Sequence, residues 1–175
     1  MKTPFPELTT PRLVLRELHV KDVPRLMELL RDEEVTRYIG GGLVKHNVRG
    51  RRKAFAAGRE IRWGICERER GTLIGVMDLQ PINRGNRNAE LGYWLGRAYW
   101  GRGYMTEALQ AVLDYCFNEM NLNRVYGDHF AENPASGRVM LKCGLRYEGT
   151  HRQKVYMNGR FFDLLEYAIL REEYK

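Results

Sequence analysis

The segment best suited to chemistry is Trp100-Gly101-Arg102-Gly103-Tyr104-Met105-Thr106, with two glycines just ahead of a long run of regularly spaced apolar residues. Glycine accepts positive φ and lets a backbone come close to a ligand. A helix that starts after such a turn offers N–H groups without intrahelical partners, at the positive end of its dipole. The combination suits a phosphate or diphosphate. Arg97 and Arg102 add positive charge beside it. A glycine-capped helix start with no ligand fits the same residues, because G-x-G by itself is a weak signal. The segment lacks the G-x-x-x-x-G-K-[ST] of a phosphate-binding kinase loop. It also lacks the third glycine and downstream acid of a dinucleotide turn.

Other reactive residue types narrow the chemistry. Cys66, Cys116 and Cys143 are widely spaced and odd in number, and His19, His46, His129 and His151 form no H-x-x-x-H pair. That usage suits buried thiols in a reducing compartment and predicts no metal site. Cys116 lies on an apolar stripe and Cys143 precedes a helix-stopping glycine, neither with a paired base, so no cysteine nucleophile is expected.

The elements around the turn follow from periodicity. Met105, Ala108, Leu109, Val112, Leu113, Cys116 and Met120 recur at helical spacing, so one amphipathic helix is expected over 104–120. Alternation predicts strands at 11–18, 61–67, 73–79, 89–95 and 123–130, with a hairpin turn around Arg70-Gly71. Helices are expected at 19–32, with Pro24 in the first turn, at 46–60 with a basic face, and at 134–142, stopped by Gly144. Strands at 145–151 and 161–170 close the chain. Strands interspersed with helices make an α/β or α+β fold with a mixed sheet.

Length and composition agree. The 175 residues suffice for one domain with a real core. The formal charge of +7, from 29 Lys and Arg against 22 Asp and Glu, favours anionic partners without choosing among them. The first six residues have no apolar run of a signal peptide, and no stretch approaches the roughly 20 apolar residues of a membrane helix, so a cytoplasmic protein is expected.

Beyond these readings, the sequence resembles the GNAT superfamily of N-acetyltransferases, within it the RimJ/RimL-like branch that acetylates ribosomal-protein N-termini. The family's [QR]-x-x-G-x-[GA] signature falls on Trp100-Gly101-Arg102-Gly103-Tyr104-Met105. Gly103 is kept, Trp100 replaces Gln or Arg, and Met105 departs from the usual Gly or Ala. The opening Thr10-Pro11-Arg12-Leu13-Val14-Leu15-Arg16, the strand Glu90-Leu91-Gly92-Tyr93-Trp94-Leu95 and the run from Asn133 to Leu145 resemble the branch in the same order. The resemblance implies a single N-acetyltransferase domain over residues 1–175, with a mixed, mostly antiparallel central sheet flanked by helices.

It also implies site roles. Tyr93, Trp94 and Leu95 would receive the pantetheine arm of acetyl-CoA. The turn from Gly101 through Arg102, Gly103, Tyr104 and Met105 to Thr106 would hold the diphosphate. Asn133 and Lys142 would meet the pantetheine and phosphate regions; as plain residues they are equally a helix N-cap and a solvated helix end. Glu90 is the candidate general base and Ser136 the donor to the departing sulfur, with Tyr147 and Tyr156 as weaker substitutes. An α-amine, with pKa about 7.7–8.0, asks less of a base than a lysine amine near 10.4.

The expected acceptor is a protein N-terminal α-amine, ribosomal by resemblance. A polyamine, aminoglycoside or amino-acid acceptor is the second reading, mildly disfavoured by the basic Lys45, Arg49, Arg51, Arg52 and Lys53. A non-catalytic acyl-CoA-binding or RNA-binding module is the third. That basic cluster contains no aromatic residue for base stacking. The apolar excess of Phe161, Phe162, Leu164, Leu165, Tyr167, Ile169 and Leu170 suggests a homodimer.

Overall fold

A computed structural model describes residues 4–39 and 54–175. Among the described residues the sheet has eight strands: β1 (Leu8–Thr9), β2 (Leu13–Glu17), β3 (Ile61–Glu67), β4 (Leu73–Asn83), β5 (Asn88–Leu95), β6 (Arg124–Phe130), β7 (Arg146–Met157) and β8 (Arg160–Leu170). Their order is β1-β2-β3-β4-β5-β6-β8-β7. Every neighbouring pair is antiparallel except β5 and β6. This is the mixed, mostly antiparallel sheet that the sequence predicts. The basic segment 45–53 and most of the helix expected at 46–60 lie outside the described residues. What is described, a helical turn at 54–56, ends at Gly58 with φ of 66°, so residues 59–60 are not helical.

Strand alternation sorts the apolar side chains onto two faces. On one face α1 (Val23–Leu29) and α2 (Glu33–Thr36) bury Leu26 and Val35 against Leu18, Cys66, Leu73, Val76 and Trp94. On the other lie α3 (Tyr104–Asp114) and α4 (Pro134–Lys142). Leu109, Val112, Leu113 and Met140 are fully buried there with Leu13, Leu15, Trp63, Ile65, Met77 and Leu79. Burying each such side chain contributes about 1.5–3 kcal/mol, which is why the α3 stripe fixes the helix against the sheet. The α-helix stops earlier than its stripe. Tyr115–Glu119 form a π turn, with Met120 N donating to Tyr115 O at 3.0 Å. Cys116 stays buried and Met120 half-buried through this change of pitch.

Two strands correct the sequence reading in instructive ways. β7 runs to Met157, six residues past its expected end, because it lies at the sheet's edge and its mostly exposed side chains carry no alternation. β8 is interior, between β6 and β7, so both of its edges are paired. Phe162, Leu164, Tyr167 and Ile169 are buried within the chain itself, and only Phe161 of that group is largely exposed. Most of its apolar residues therefore pack within the chain, while Leu165 and Leu170 stay half-buried. No helix among the described residues is long and apolar enough to cross a membrane.

Candidate active site

β5 and β6 separate partway along. Their parallel pairing covers Asn88↔Arg124, Ala89↔Val125 and Glu90↔Tyr126 and then stops, although β5 continues to Leu95 and β6 to Phe130. From Leu91 onward β5 has no strand partner on that side. An open edge of this kind offers backbone N–H and C=O groups to an extended ligand.

A cleft of about 410 Å³ opens there. Its walls are the end of β5, the glycine turn with the start of α3, the start of α4, and the α2 region. Tyr93, Trp94, Leu95, Trp100, Gly101, Gly103, Tyr104, Met105, Thr106, Asn133, Ser136 and Lys142 all line it. Arg102 and Glu90 do not. Sequence reasoning missed Glu34, Val35, Tyr38 and Ile39, which bear no motif, and Arg138, which stands with Lys142 on one face of α4. The i, i+4 spacing of those two cations was the available signal.

The turn has the backbone that its glycines allow. Gly101 and Gly103 adopt φ of 71° and 77°, the left-handed region costly for other residues. Gly103 caps α3 without any side-chain bond, leaving the first-turn N–H groups for a ligand. Met105 is 8% exposed and lies in the main core, under α3, so its bulk is kept out of the turn. Trp100 donates its indole N–H to Leu95 O at 2.7 Å, tying the turn to the end of β5.

At α4, Asn133 occupies the cap position but makes no capping hydrogen bond, so its amide is free to meet a ligand in the cleft. Tyr93 Oη donates to Ser136 O at 2.8 Å, and Ser136 Oγ donates to Tyr93 Oη at 3.1 Å. Burial pushes the Tyr93 phenol well above its usual pKa, so it stays neutral. The Ser136 proton reaches a ligand's sulfur only by rotating away from Tyr93. Tyr147 and Tyr156 are exposed residues of β7 and line no part of this cleft. All three cysteines are free and buried, and burial pushes Cys143 up to about 11, which leaves no thiolate at neutral pH.

Glu90 ends the paired part of β5, on the α1–α2 face with Trp94. It is half-buried, and its side chain makes no hydrogen bond or ion pair among the described residues. Burial raises its pKa first; the charge of Asp128 raises it further, and Lys154 partly offsets both. The surrounding carboxylates are engaged. Asp78 pairs with buried Arg62 at 2.5 Å, Asp128 accepts from Lys154 at 3.0 Å, and Glu166 meets His151 at 2.8 Å. A single unengaged carboxylate, made more basic by its surroundings, therefore sits where the two strands part.

An open strand edge leading into a glycine turn is the architecture of an acyltransferase that draws on a diphosphate-bearing thioester. Residues 12–146 match the acetyltransferase (GNAT) domain family, and the chain belongs to it. The uncharacterized N-acetyltransferase YoaA of Bacillus subtilis is 34% identical, over 95% of this chain and 98% of that protein. The ribosomal-protein-serine acetyltransferase of Escherichia coli is 31% identical, over 81% of this chain and 73% of that one. Among solved structures, the spermidine N-acetyltransferase of Vibrio cholerae in complex with CoA and spermine is 25% identical. It superposes with a TM-score of 0.82, over 94% of this chain and 99% of that one. The protein is thus a GNAT N-acetyltransferase of the RimJ/RimL-like branch, with acetyl-CoA as its co-substrate.

Proposed function

We propose that the acceptor is the α-amine of a protein N-terminus, as in the ribosomal-protein relative, and that Glu90 is the general base. The observation that carries this reading is the unengaged, half-buried Glu90 at the point where β5 and β6 part. Burial holds its pKa above the ordinary glutamate value, and an α-amine needs little deprotonation at neutral pH. The amine lone pair attacks the thioester carbonyl carbon while its proton passes to Glu90, directly or through a water. The C–S bond then breaks, and the sulfur leaves as a thiolate near Ser136. The unpaired N–H groups at the end of β5 are the donors for the developing oxyanion. Tyr93 to Leu95, Gly101 to Thr106, Asn133 and Lys142 hold the co-substrate. Residues 1–175 act as one catalytic domain in the cytoplasm.

A second reading, a small polyamine acceptor, is favoured by the likeness to the spermidine N-acetyltransferase of Vibrio cholerae, although Asp78, Asp128 and Glu166 near Glu90 are already paired with basic side chains. Incubation with acetyl-CoA, a free-N-terminus peptide and spermidine in competition separates the two. Acetylation of the peptide, localised to its α-amine by tandem mass spectrometry, supports the first reading. Preferential consumption of spermidine overturns it. The homodimer is carried forward as a proposal, and a monomeric mass by light scattering sinks it.

A further inference from the structure

The glycine turn is exposed, and two left-handed glycines make it costly to hold still. Besides the Trp100 bond to β5, it is restrained by the loop before β2. Arg12 Nη1 donates to Arg102 O at 2.9 Å. Arg12 Nε and Glu107 Oε2 form an ion pair at 2.6 Å. The Arg12 backbone N–H donates to Glu107 Oε1 at 2.9 Å, and Thr10 Oγ1 donates to the same oxygen at 2.6 Å. The guanidinium lies over the Tyr104 ring, 4.6 Å from its centroid, and Tyr104 Oη donates to Glu67. A Cβ placed on Gly103 would lie 3.5 Å from Arg12 Nη2, so the guanidinium is flush against the turn.

Two consequences follow. In a trans peptide the C=O and N–H point in opposite directions. Holding Arg102 C=O toward Arg12 therefore turns the Gly103 N–H away from Arg12, and Gly103 lines the cleft. The second concerns Glu107, an acid in the first turn of α3 and a repulsive neighbour for a diphosphate. Burial alone would raise its pKa, but hydrogen bonds from Thr10 and Arg12 hold it below the usual glutamate value. Its charge is consumed by Arg12, which spares the ligand.

We propose that Arg12 is a positioning residue for the co-substrate: clamped by Glu107, it fixes the Arg102–Gly103 peptide so that the turn's N–H groups meet the diphosphate. Arg12 itself does not line the cleft. The inference rests on the acetyl-CoA reading of the turn. Arg12 is 47% exposed, so its ion pair adds little to stability and its variants should stay folded.

The test compares CoA with pantetheine, which lacks the diphosphate, by titration of isotopically labelled protein in NMR. The wild type should bind CoA far more tightly. Arg12→Met and the charge-conserving Arg12→Lys should each weaken CoA about tenfold and leave pantetheine unchanged. Glu107→Gln should show the same pattern in milder form. Equal weakening of both ligands, or none of CoA, overturns the positioning role. A wild type that binds both ligands alike would instead remove the diphosphate site itself, and the role of Arg12 with it.

Discussion

The two sides of the cleft are built on different principles. On the co-substrate side the working groups belong largely to the backbone: the open edge of β5, the turn at Gly101 and Gly103, and the first turn of α3. The proposed acceptor side rests instead on side chains that different strands bring together beside the cleft: Glu90 of β5, and Asp128 of β6, whose charge raises the Glu90 pKa. A backbone site is recorded in the sequence as glycine and helix signals, because only certain residues permit its geometry. A side-chain site leaves no local pattern. The difference also assigns affinity to one side and reactivity to the other, which substitutions can test.

The largest effect should come from Gly103→Pro. Proline cannot adopt φ near 77° and has no N–H to offer. Calorimetry should show CoA affinity reduced by about a hundredfold or more, with thermal unfolding reporting whether the domain survives. Retained affinity would break the division at its first side.

Glu90→Gln addresses the other side. With a peptide acceptor, kcat should fall by about 10²–10⁴, while the Kd for CoA stays as in the wild type. The pH profile gives an independent check. A base must be deprotonated, so activity falls as pH drops through the pKa of Glu90, which lies above the ordinary glutamate value. That acid limb should vanish in the variant. The same shift has a sign for stability. A carboxylate whose folded pKa is raised favours the folded state below its unfolded pKa and loses that advantage as pH rises through the folded one. Glu90→Gln should therefore raise the melting temperature at neutral pH, and a lower one would contradict the environment described.

Asp128→Asn is subtler. It removes a charge that raises the Glu90 pKa and releases Lys154, which lowers it, so the acid limb should move to lower pH. A limb that does not move would separate Glu90 from that cluster. The smallest effect is expected for Tyr93→Phe. Losing the bond to Ser136 should cost about 1 kcal/mol of stability by chemical denaturation, with a modest change in turnover as the Ser136 proton is freed.

The apolar stripe of α3 was legible because a single helical period runs through it, and the turn before it because glycine spacing is local. Asn133 could be read two ways, as a cap or as a ligand contact, and the structure shows it without a capping bond and on the cleft wall. β7 was half-read, because an exposed edge strand needs no alternation. The apolar residues of β8 were legible in number but not in cause. An interior strand and an interface leave the same composition, and only folding shows that Phe162, Leu164, Tyr167 and Ile169 are buried within the chain.

By itself the sequence determined the backbone devices: the turn, the helix that follows it, the strand that leads to it, and with them the family. Tertiary structure alone decided where β5 and β6 part, that Glu90 stands unengaged at that point, and that Arg12 and Glu107, 95 positions apart, meet beside the turn. The physical reason is range. Glycine conformation and helix dipoles act over a few residues of chain, whereas the basicity of a carboxylate and the anchoring of a peptide plane depend on neighbours that only folding supplies.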